Sequence, residues 1–559
     1  MLLIDWHKEF PYKPVTYVRA QLIKDAKMKK IHAKKFRRVV SQQRDSRDQT
    51  CALSSTKSKP ESTPTAKTSP VREEKSSSEN QISSATPETE IAGTDKQSGR
   101  QIDGNEIANK VVTGWREDAA YEQEILHAVK SADCTTISNR KQLPGTAAGL
   151  DTVLAERQVS VFTIDRRHMT HAAKVMSRPA FVREFGESSV MQWLPGPGLS
   201  TSLSNLDDNG LQGLTEDPVR RVELGALLEA WDEERLLDRW VFEKSTFHEK
   251  TNLEPELGNP GLLRELSQKT FMPPFVQRPS WTKSRPYELL SLGSSGSGIT
   301  FHQHPASWLM LYAGIKVWFL YPPGKFCRGS SHCISTEAYN MMANASPLAV
   351  LRKLSSLSKQ DRPHVLIQRP GELVLLPHFW WHATINVHEC LGVGGQIDVP
   401  SQADLELHTT GPTEYRSPVA LELAATQVYQ TPTMRQYTKT KKLLKESFKL
   451  APRSVTGAAT LADFIARRGQ LTESVITEAL GVVRRLAKEM FSSADEGVLV
   501  PSVAARLILR VLTSPLFAWY SEGLDGSLIR YQVKRILSIT RKLDPRLLPH
   551  QDLMQWIGV

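Results

Sequence analysis

Two stretches of the chain decide its fold: Gly296-Ser-Gly-Ile-Thr-Phe-His302-Gln-His304 and Gly371-Glu-Leu-Val-Leu-Leu-Pro377-His-Phe-Trp-Trp-His382-Ala-Thr-Ile-Asn386. Both combine short apolar runs with glycine or proline at their ends, which predicts strands bounded by turns. Because side chains alternate between the two faces of a strand, His302 and His304 should share one face. His382 shares a face with Asn386 on a second strand, far along the chain. Three imidazoles from two remote strands predict a metal site inside a β-barrel.

A lone histidine on an apolar strand is more often a core residue than a metal ligand. The pair His302 and His304 weakens that interpretation, and the wider sequence overturns it. A third stretch follows the pair, Gly314-Ile-Lys316-Val-Trp318-Phe-Leu-Tyr-Pro322-Pro323. Together the three stretches resemble the JmjC (jumonji) family, especially its small JmjC-domain-only members with a His-x-His first motif, and they also resemble the two cupin motifs. The resemblance spans about residues 160–400.

This resemblance implies a fold, a metal and a cosubstrate. JmjC proteins are cupin-like oxygenases that use Fe(II) and 2-oxoglutarate, so the core should be mainly β, a double-stranded β-helix (jelly roll) over about residues 286–400 with flanking helices. By the resemblance, His302 and His382 correspond to iron ligands, and Lys316 corresponds to the lysine that pairs with the far carboxylate of 2-oxoglutarate. Three further residues are candidates for binding that cosubstrate: Thr300, Ser307 and Asn386.

Two positions depart from the family pattern. His304 stands where JmjC proteins usually have Asp or Glu, and Phe379 stands where the second cupin motif usually has Gly. Three neutral imidazoles leave the charge of a divalent cation uncompensated, although imidazole binds both Fe(II) and Zn(II). We therefore expect His302, His304 and His382 to hold a metal, whereas the loss of the acidic ligand bears on whether the site oxidises 2-oxoglutarate.

Lys316 has two interpretations. It follows the turn at Ala313-Gly314 between two apolar runs, which predicts a hairpin. A lysine beside a hairpin turn commonly faces water. Next to the histidines, however, a cation on an otherwise apolar strand is a candidate anchor for a carboxylate.

Composition divides the rest of the chain. The 559 residues carry a net charge of +11, and residues 1–50 hold 13 Lys and Arg against 5 Asp and Glu, so this segment is a basic extension. Residues 51–110 are rich in Ser, Thr, Pro and charged residues, which predicts a disordered linker. Residues 111–405 form the JmjC-type region. The apolar periodicity of residues 406–559 predicts an all-α C-terminal domain, in which Thr472 is a helix N-cap.

Local patterns add detail to the JmjC-type region. Val159–Ile164 predicts a strand, Leu224–Trp240 predicts a helix, and Arg178–Val182 predicts a strand. Five cysteines without a C-x-x-C pair favour a reducing compartment, although Cys327 and Cys333 are close enough to pair. The start of the chain does not resemble a secretory signal, and we expect no transmembrane helix.

Three functions fit these features. The first is a JmjC-type Fe(II)- and 2-oxoglutarate-dependent oxygenase that hydroxylates or demethylates a protein side chain. The second is a catalytically inactive JmjC-like binding or scaffold protein, which the departure at His304 favours. The third is a three-histidine cupin dioxygenase, which leaves Lys316 without a role. We favour the first, and therefore expect Fe(II) and 2-oxoglutarate as cofactors.

The expected partners follow from these segments. A protein is the expected substrate, and the basic extension predicts a nucleic-acid partner in a nuclear or cytoplasmic setting. No membrane partner is expected. The apolar faces of the C-terminal helices predict a role in homo-oligomerisation or stability and none in chemistry, because these helices carry no cluster of ionisable groups.

Overall fold

The computed structural model describes the following residues: 112–143, 152–193, 219–234, 240–244, 260–271, 273, 289–396, 400–428, 433–468, 472–499, 501–521 and 526–545. The basic extension and the predicted linker lie outside the described residues. Their disorder and their partners therefore stay predictions.

The strands within the described residues belong to two sheets. Their bounds are β1 (Arg140–Gln142), β2 (Ser160–Thr163), β3 (Ser189–Trp193), β4 (Val219–Glu223), β5 (Trp240–Lys244), β6 (Leu289–Gly293), β7 (Gly298–His302), β8 (Ser307–Ala313), β9 (Lys316–Tyr321), β10 (His364–Gln368), β11 (Glu372–Leu376), β12 (Trp381–Asn386) and β13 (Cys390–Gln396). The larger sheet has the order β1-β2-β11-β8-β13-β6-β5-β3-β4, and the smaller has the order β10-β9-β12-β7.

The eight strands from β6 to β13 pair in a nested order. β6 pairs with β13, β7 with β12, β8 with β11, and β9 with β10, all antiparallel. Two further antiparallel pairs, β8 with β13 and β9 with β12, join these hairpins into the two sheets. This pairing places strands that are remote in sequence side by side, and it brings β7 next to β12.

The two faces of the smaller sheet have different neighbours. Trp318 and Leu320 of β9 pack with residues of the larger sheet such as Val374, so this face lines the space between the sheets. Val317 and Phe319 pack with the helical insert after β9, so they lie on the outer face. The even-numbered residues of β9 and β12, including both Lys316 and His382, therefore face the interior.

Helices surround the sheets and make up most of the described chain after residue 400. Their bounds are α1 (Ala119–Ser131), α2 (Arg166–Met176), α3 (Arg178–Phe185), α4 (Leu224–Glu234), α5 (Pro260–Lys269), α6 (Thr336–Met342), α7 (Pro347–Lys353), α8 (Gln402–Thr410), α9 (Pro418–Val428), α10 (Met434–Leu450), α11 (Val455–Arg468), α12 (Glu473–Asp495), α13 (Pro501–Ser521) and α14 (Ser527–Leu543), with short 3-10 turns at Leu354–Ser356 and Thr413–Tyr415.

The strand predicted at Arg178–Val182 is wrong, because these residues begin helix α3. Pro179 lies in the first turn, where its missing N–H is not needed. Phe181 and Phe185 are four residues apart and both are buried, so the apolar pattern is that of a helix face. The predicted strand at Val159–Ile164 is confirmed as β2.

The C-terminal helices have a hydrophobic core of their own. Residues from α9 to α14 form one buried cluster, as the apolar periodicity predicts. Thr472 caps α12, because its side chain accepts a hydrogen bond from the backbone N–H of Val475, and this prediction is confirmed. In the part of the chain that the structure describes, none of the helices combines the length and the apolarity needed to cross a bilayer.

The structure also resolves the cysteine pair that the sequence leaves open. Cys327 and Cys333 form a disulfide, whereas Cys134 and Cys390 are free thiols. A disulfide is typical of an oxidising compartment, whereas the cysteine pattern of the sequence favours a reducing one.

Candidate metal centre

Three histidines converge where β7 and β12 lie side by side. His302 is the last residue of β7 and pairs directly with His382 of β12. The ring centroids of His302 and His382 are 4.0 Å apart, those of His304 and His382 are 4.6 Å apart, and those of His302 and His304 are 5.4 Å apart. One possible ligand atom from each side chain lies within 4.8 Å of the other two. The structure thus brings together the three residues that the sequence predicts as metal ligands.

The tautomer of each ring follows from its hydrogen bond. In all three, Nδ1 contacts a backbone carbonyl oxygen: His302 with Thr300 O (2.9 Å), His304 with Pro305 O (2.6 Å) and His382 with Trp380 O (3.0 Å). A carbonyl oxygen only accepts, so Nδ1 donates and Nε2 holds the lone pair. Metal-binding histidines are oriented in this way, with the second ring nitrogen fixed by a backbone or side-chain acceptor. The donor set therefore fits a divalent transition metal.

His382 is the most buried of the three, with 4% of its surface exposed. Burial lowers its pKa well below the usual value, and the neighbouring His302 and His304 lower it further. The imidazole is therefore neutral at neutral pH, which is the form that binds a metal.

Gln303 fixes the loop that carries the first two histidines. Its side-chain Nε2 donates to Pro323 O (3.0 Å) and to Phe379 O (2.7 Å), and its Oε1 accepts from Ser417 Oγ (2.9 Å). Gln303 is only 8% exposed, so these bonds form in a nearly dry setting. Neither Gln303 nor Ser417 stands out in the sequence, and only the alternation that turns Gln303 away from the histidines indicates a separate role.

Phe379 explains one departure from the family pattern. Its φ of +63° lies in the left-handed region, where Gly is preferred. Its N–H donates to His304 O (3.0 Å), and its side chain is fully buried against Leu405 and Ala420. The ring also meets His408 edge-on at 5.0 Å. The contacts that Phe379 makes between the histidine loop and the helices α8 and α9 therefore offset the backbone strain at this position.

The structure excludes one of the two interpretations of Lys316. The residue is 3% exposed, so it does not face water. Its Nζ donates to Oδ1 of Asn386, its direct partner on β12. Burial lowers the pKa of Lys316, while the nearby Cys390 acts in the opposite direction. No carboxylate within the described residues forms an ion pair with Lys316, which leaves a buried amine oriented by one neutral partner.

Asn386 is itself held in place. Its Nδ2 donates to Ser297 Oγ (2.9 Å), and Ser297 Oγ donates to Ser294 O (2.6 Å). A Cβ at Gly293 would lie 2.2 Å from Asn386 Nδ2, so this close approach requires glycine. Ser297 and Gly293 therefore set the orientation of the Asn386 side chain, and Asn386 in turn orients the Lys316 amine.

The other two predicted cosubstrate residues differ in their surroundings. Thr300 is 1% exposed, and its Oγ1 has no hydrogen-bond partner in the described structure. A buried hydroxyl without a partner is costly, so its position beside His302 fits a polar group of a bound molecule. Ser307 begins β8 in the other sheet, and no side-chain hydrogen bond among the described residues joins it to the histidines or to Lys316.

Comparisons with known proteins agree with the motifs. The chain is 31% identical over 114 residues to Lysine-specific demethylase JMJ21 of Arabidopsis thaliana, 35% over 97 residues to JmjC domain-containing protein 8 of Homo sapiens, and 28% over 112 residues to Arginine-specific demethylase JMJ22 of Arabidopsis thaliana. These segments cover 19%, 17% and 19% of this chain, and 12%, 32% and 22% of the respective relatives. No family model matches the chain.

The chain therefore spans about a third or less of the length of these curated relatives. The three relatives are JmjC-domain proteins. The resemblance of this chain to the JmjC family is confirmed.

Proposed function

We propose that this chain is a JmjC-type Fe(II)- and 2-oxoglutarate-dependent oxygenase that hydroxylates or demethylates a protein side chain. We also infer that β6 to β13 form a double-stranded β-helix. The nested pairing of first with eighth, second with seventh, third with sixth and fourth with fifth strands supports this jelly-roll topology.

The buried amine of Lys316 is the observation that most directly supports this activity. A buried amine is expensive unless it meets an anion, and the described residues supply no carboxylate to pair with it. It lies on β9, which pairs with the β12 strand of His382, and both side chains face the space between the sheets. A cosubstrate with two carboxylates, one at each end, fits a cation and a metal that face the same interior.

The residues of the chain would have separate tasks. His302, His304 and His382 would hold Fe(II), which when bound supplies the oxidative chemistry of the family. Lys316, oriented by Asn386, would donate hydrogen bonds to the far carboxylate of 2-oxoglutarate. The hydroxyl of Thr300 would donate to the same molecule. Trp318 and Leu320 line the interior and would exclude water from it.

His304 changes the electrostatics of the site. With an acidic ligand the metal centre would carry one positive charge fewer than with three neutral imidazoles. An anionic cosubstrate therefore meets a more positive centre in this chain. We infer that His304 is a ligand in its own right, since its Nδ1 is fixed by a carbonyl as in the other two rings.

The substrate, partners and location are proposals as well. Two of the relatives are named as lysine- and arginine-specific demethylases, and those names describe the relatives. For this chain we propose a protein side chain as substrate, a nucleic-acid contact through the basic extension, self-association through the C-terminal helices, and a nuclear or cytoplasmic location.

The test is the conversion of 2-oxoglutarate to succinate by the purified full chain with Fe(II) and O₂. We expect iron-dependent turnover that Lys316→Ala abolishes. Lys359→Ala is the matched control, because Lys359 has an 82% exposed side chain and pairs only weakly with Asp133 at 3.5 Å. Metal-loaded protein without turnover, or equal turnover by Lys316→Ala, would reject the proposed activity.

A further inference from the structure

A second cluster of metal-ligating side chains lies in the segment between β9 and α6. Cys327, His332 and Cys333 each offer one ligand atom, and these atoms lie within 4.8 Å of one another. The cluster is formed by a single stretch of seven residues, Cys327-Arg-Gly-Ser-Ser-His-Cys333. None of its members takes part in the three-histidine centre.

The imidazole is placed symmetrically against both sulfurs. His332 Nε2 is 3.8 Å from Cys327 Sγ and 3.8 Å from Cys333 Sγ. The cysteines are 2% and 7% exposed, whereas the histidine is only partly buried. A disulfide alone does not require an imidazole facing both sulfurs. Once the S–S bond is reduced and the sulfurs separate, two cysteines and one histidine provide the Cys2His donor set that suits a thiophilic cation.

The charges around His332 act in both directions. Burial lowers the pKa of His332, so its imidazole is neutral and its lone pair is available. Glu414 raises that pKa and provides a carboxylate that would also favour a bound cation, whereas Lys325 and Arg416 oppose it. Two thiolates would outweigh these two half-buried cations at close range.

The segment is fixed to the C-terminal helices at several points. Gly324 N donates to Glu414 O (3.1 Å), and Arg328 N donates to Leu450 O (3.2 Å). The Arg328 side chain also forms two hydrogen bonds to the Glu489 carboxylate, at 2.9 and 2.8 Å. These anchors do not involve the sulfurs, so they fix the part of the segment next to Cys327 whether or not the disulfide is present.

We propose that Cys327, His332 and Cys333 form a second metal site, which in the dithiol state binds a thiophilic divalent cation such as Zn(II). A dithiol or phosphine reductant supplies two electrons, the S–S bond breaks, and two protons complete the thiols. Metal binding then releases those protons as the thiolates coordinate with the imidazole, and a water molecule fills the open position. A small-molecule disulfide then accepts two electrons from the two thiolates and is reduced to two thiols, so that the Cys327–Cys333 bond forms again and the metal is released.

The test uses the full chain with Zn(II) or Co(II) alone as the probe. Zinc per chain is measured by competition with a chromogenic chelator, after reduction with a phosphine and after re-oxidation. We expect the reduced protein to bind one more zinc than the oxidised protein, and Co(II) to give a thiolate charge-transfer band only in the reduced protein. Equal stoichiometry in the two states would overturn the proposal.

Variants separate this site from the three-histidine centre. His332→Ala should weaken the additional zinc by at least about 10-fold, since even indirect ligand contacts contribute that much. Unchanged zinc affinity in His332→Ala, with thiol titration showing a reducible disulfide, would overturn the assignment. Cys134→Ser is the control for a free thiol and should keep the additional zinc. His302→Ala should remove metal from the first centre and keep the thiolate band, and loss of that band would also overturn the proposal.

Discussion

Replacing Gln303 tests how the histidine loop is held. Gln303→Leu removes three buried hydrogen bonds, to Pro323 O, Phe379 O and Ser417 Oγ. Each contributes roughly 1 kcal/mol, so the free energy of unfolding should fall by about 3 kcal/mol. Because these bonds fix the loop between His302 and His304, the metal affinity should also fall, by about 10- to 100-fold.

The chain offers a closely matched control in Gln368. This residue is fully buried on β10, its Nε2 donates to Leu309 O (2.9 Å) and Glu372 O (2.9 Å), and its Oε1 accepts from Trp318 Nε1 (3.0 Å). Gln368→Leu therefore removes the same number of buried hydrogen bonds, with the indole N–H of Trp318 as donor in place of a serine hydroxyl, and it does not touch the histidine loop. It should lower stability by a similar amount and leave metal affinity nearly unchanged.

The assay pairs denaturant unfolding of the metal-free protein with chelator competition for Co(II) in the folded protein. The two measurements separate loss of stability from loss of metal affinity. If both glutamine variants weaken the metal equally, the effect is a general loss of stability. If Gln303→Leu lowers the free energy of unfolding by much less than about 3 kcal/mol and keeps the normal metal affinity, Gln303 does not position the ligands.

Three more expectations follow from the structure. His304→Ala should weaken metal binding by at least about 10-fold in chelator competition, whereas His364→Ala, outside the cluster, should not; equal affinities would remove His304 from the ligand set. Phe379→Gly relieves a φ of +63° but loses a buried ring, so the free energy of unfolding should fall by about 2–4 kcal/mol. A more stable variant would mean that the backbone strain at this position costs more than the packing of the ring contributes. Burial raises the pKa of Glu422 from 4.5 to about 7, so the folded state binds a proton that the unfolded state has already lost. The contribution of this group to the free energy of unfolding should therefore fall as pH rises from about 4.5 to 7, by about 3 kcal/mol at most. Glu422→Gln should flatten that pH dependence of unfolding, and an unchanged slope would contradict the assignment.

Strand alternation is what makes part of the site predictable from sequence. His382, Thr384 and Asn386 share a face because side chains on a strand repeat with a period of two, and the same rule places Lys316 and Trp318 together. The glycine-bounded turn before Lys316 marks the start of β9, and Gly314 has the positive φ of +79° that such a turn needs.

The rest depends on contacts between remote segments. β7 ends at His302, so strand alternation does not place His304, and its position depends on Gln303 and its partners. Those partners are 20, 76 and 114 residues away, and no local pattern relates them. The sequence likewise gives no sign that Ser417, which directly precedes α9, joins the C-terminal helices to the histidine loop.

Calorimetric titration of 2-oxoglutarate into the metal-loaded chain under anaerobic conditions tests whether a metal and Lys316 together bind this cosubstrate. Lys316→Met is the informative variant, because methionine keeps the packing of a residue that is 3% exposed and removes its charge. We expect one 2-oxoglutarate per chain, binding that depends on metal, and a loss of about 2 kcal/mol or more, roughly 30-fold, in Lys316→Met. Metal-loaded protein that does not bind 2-oxoglutarate, or a Lys316→Met variant that binds it as tightly as the unaltered chain, would contradict this binding mode.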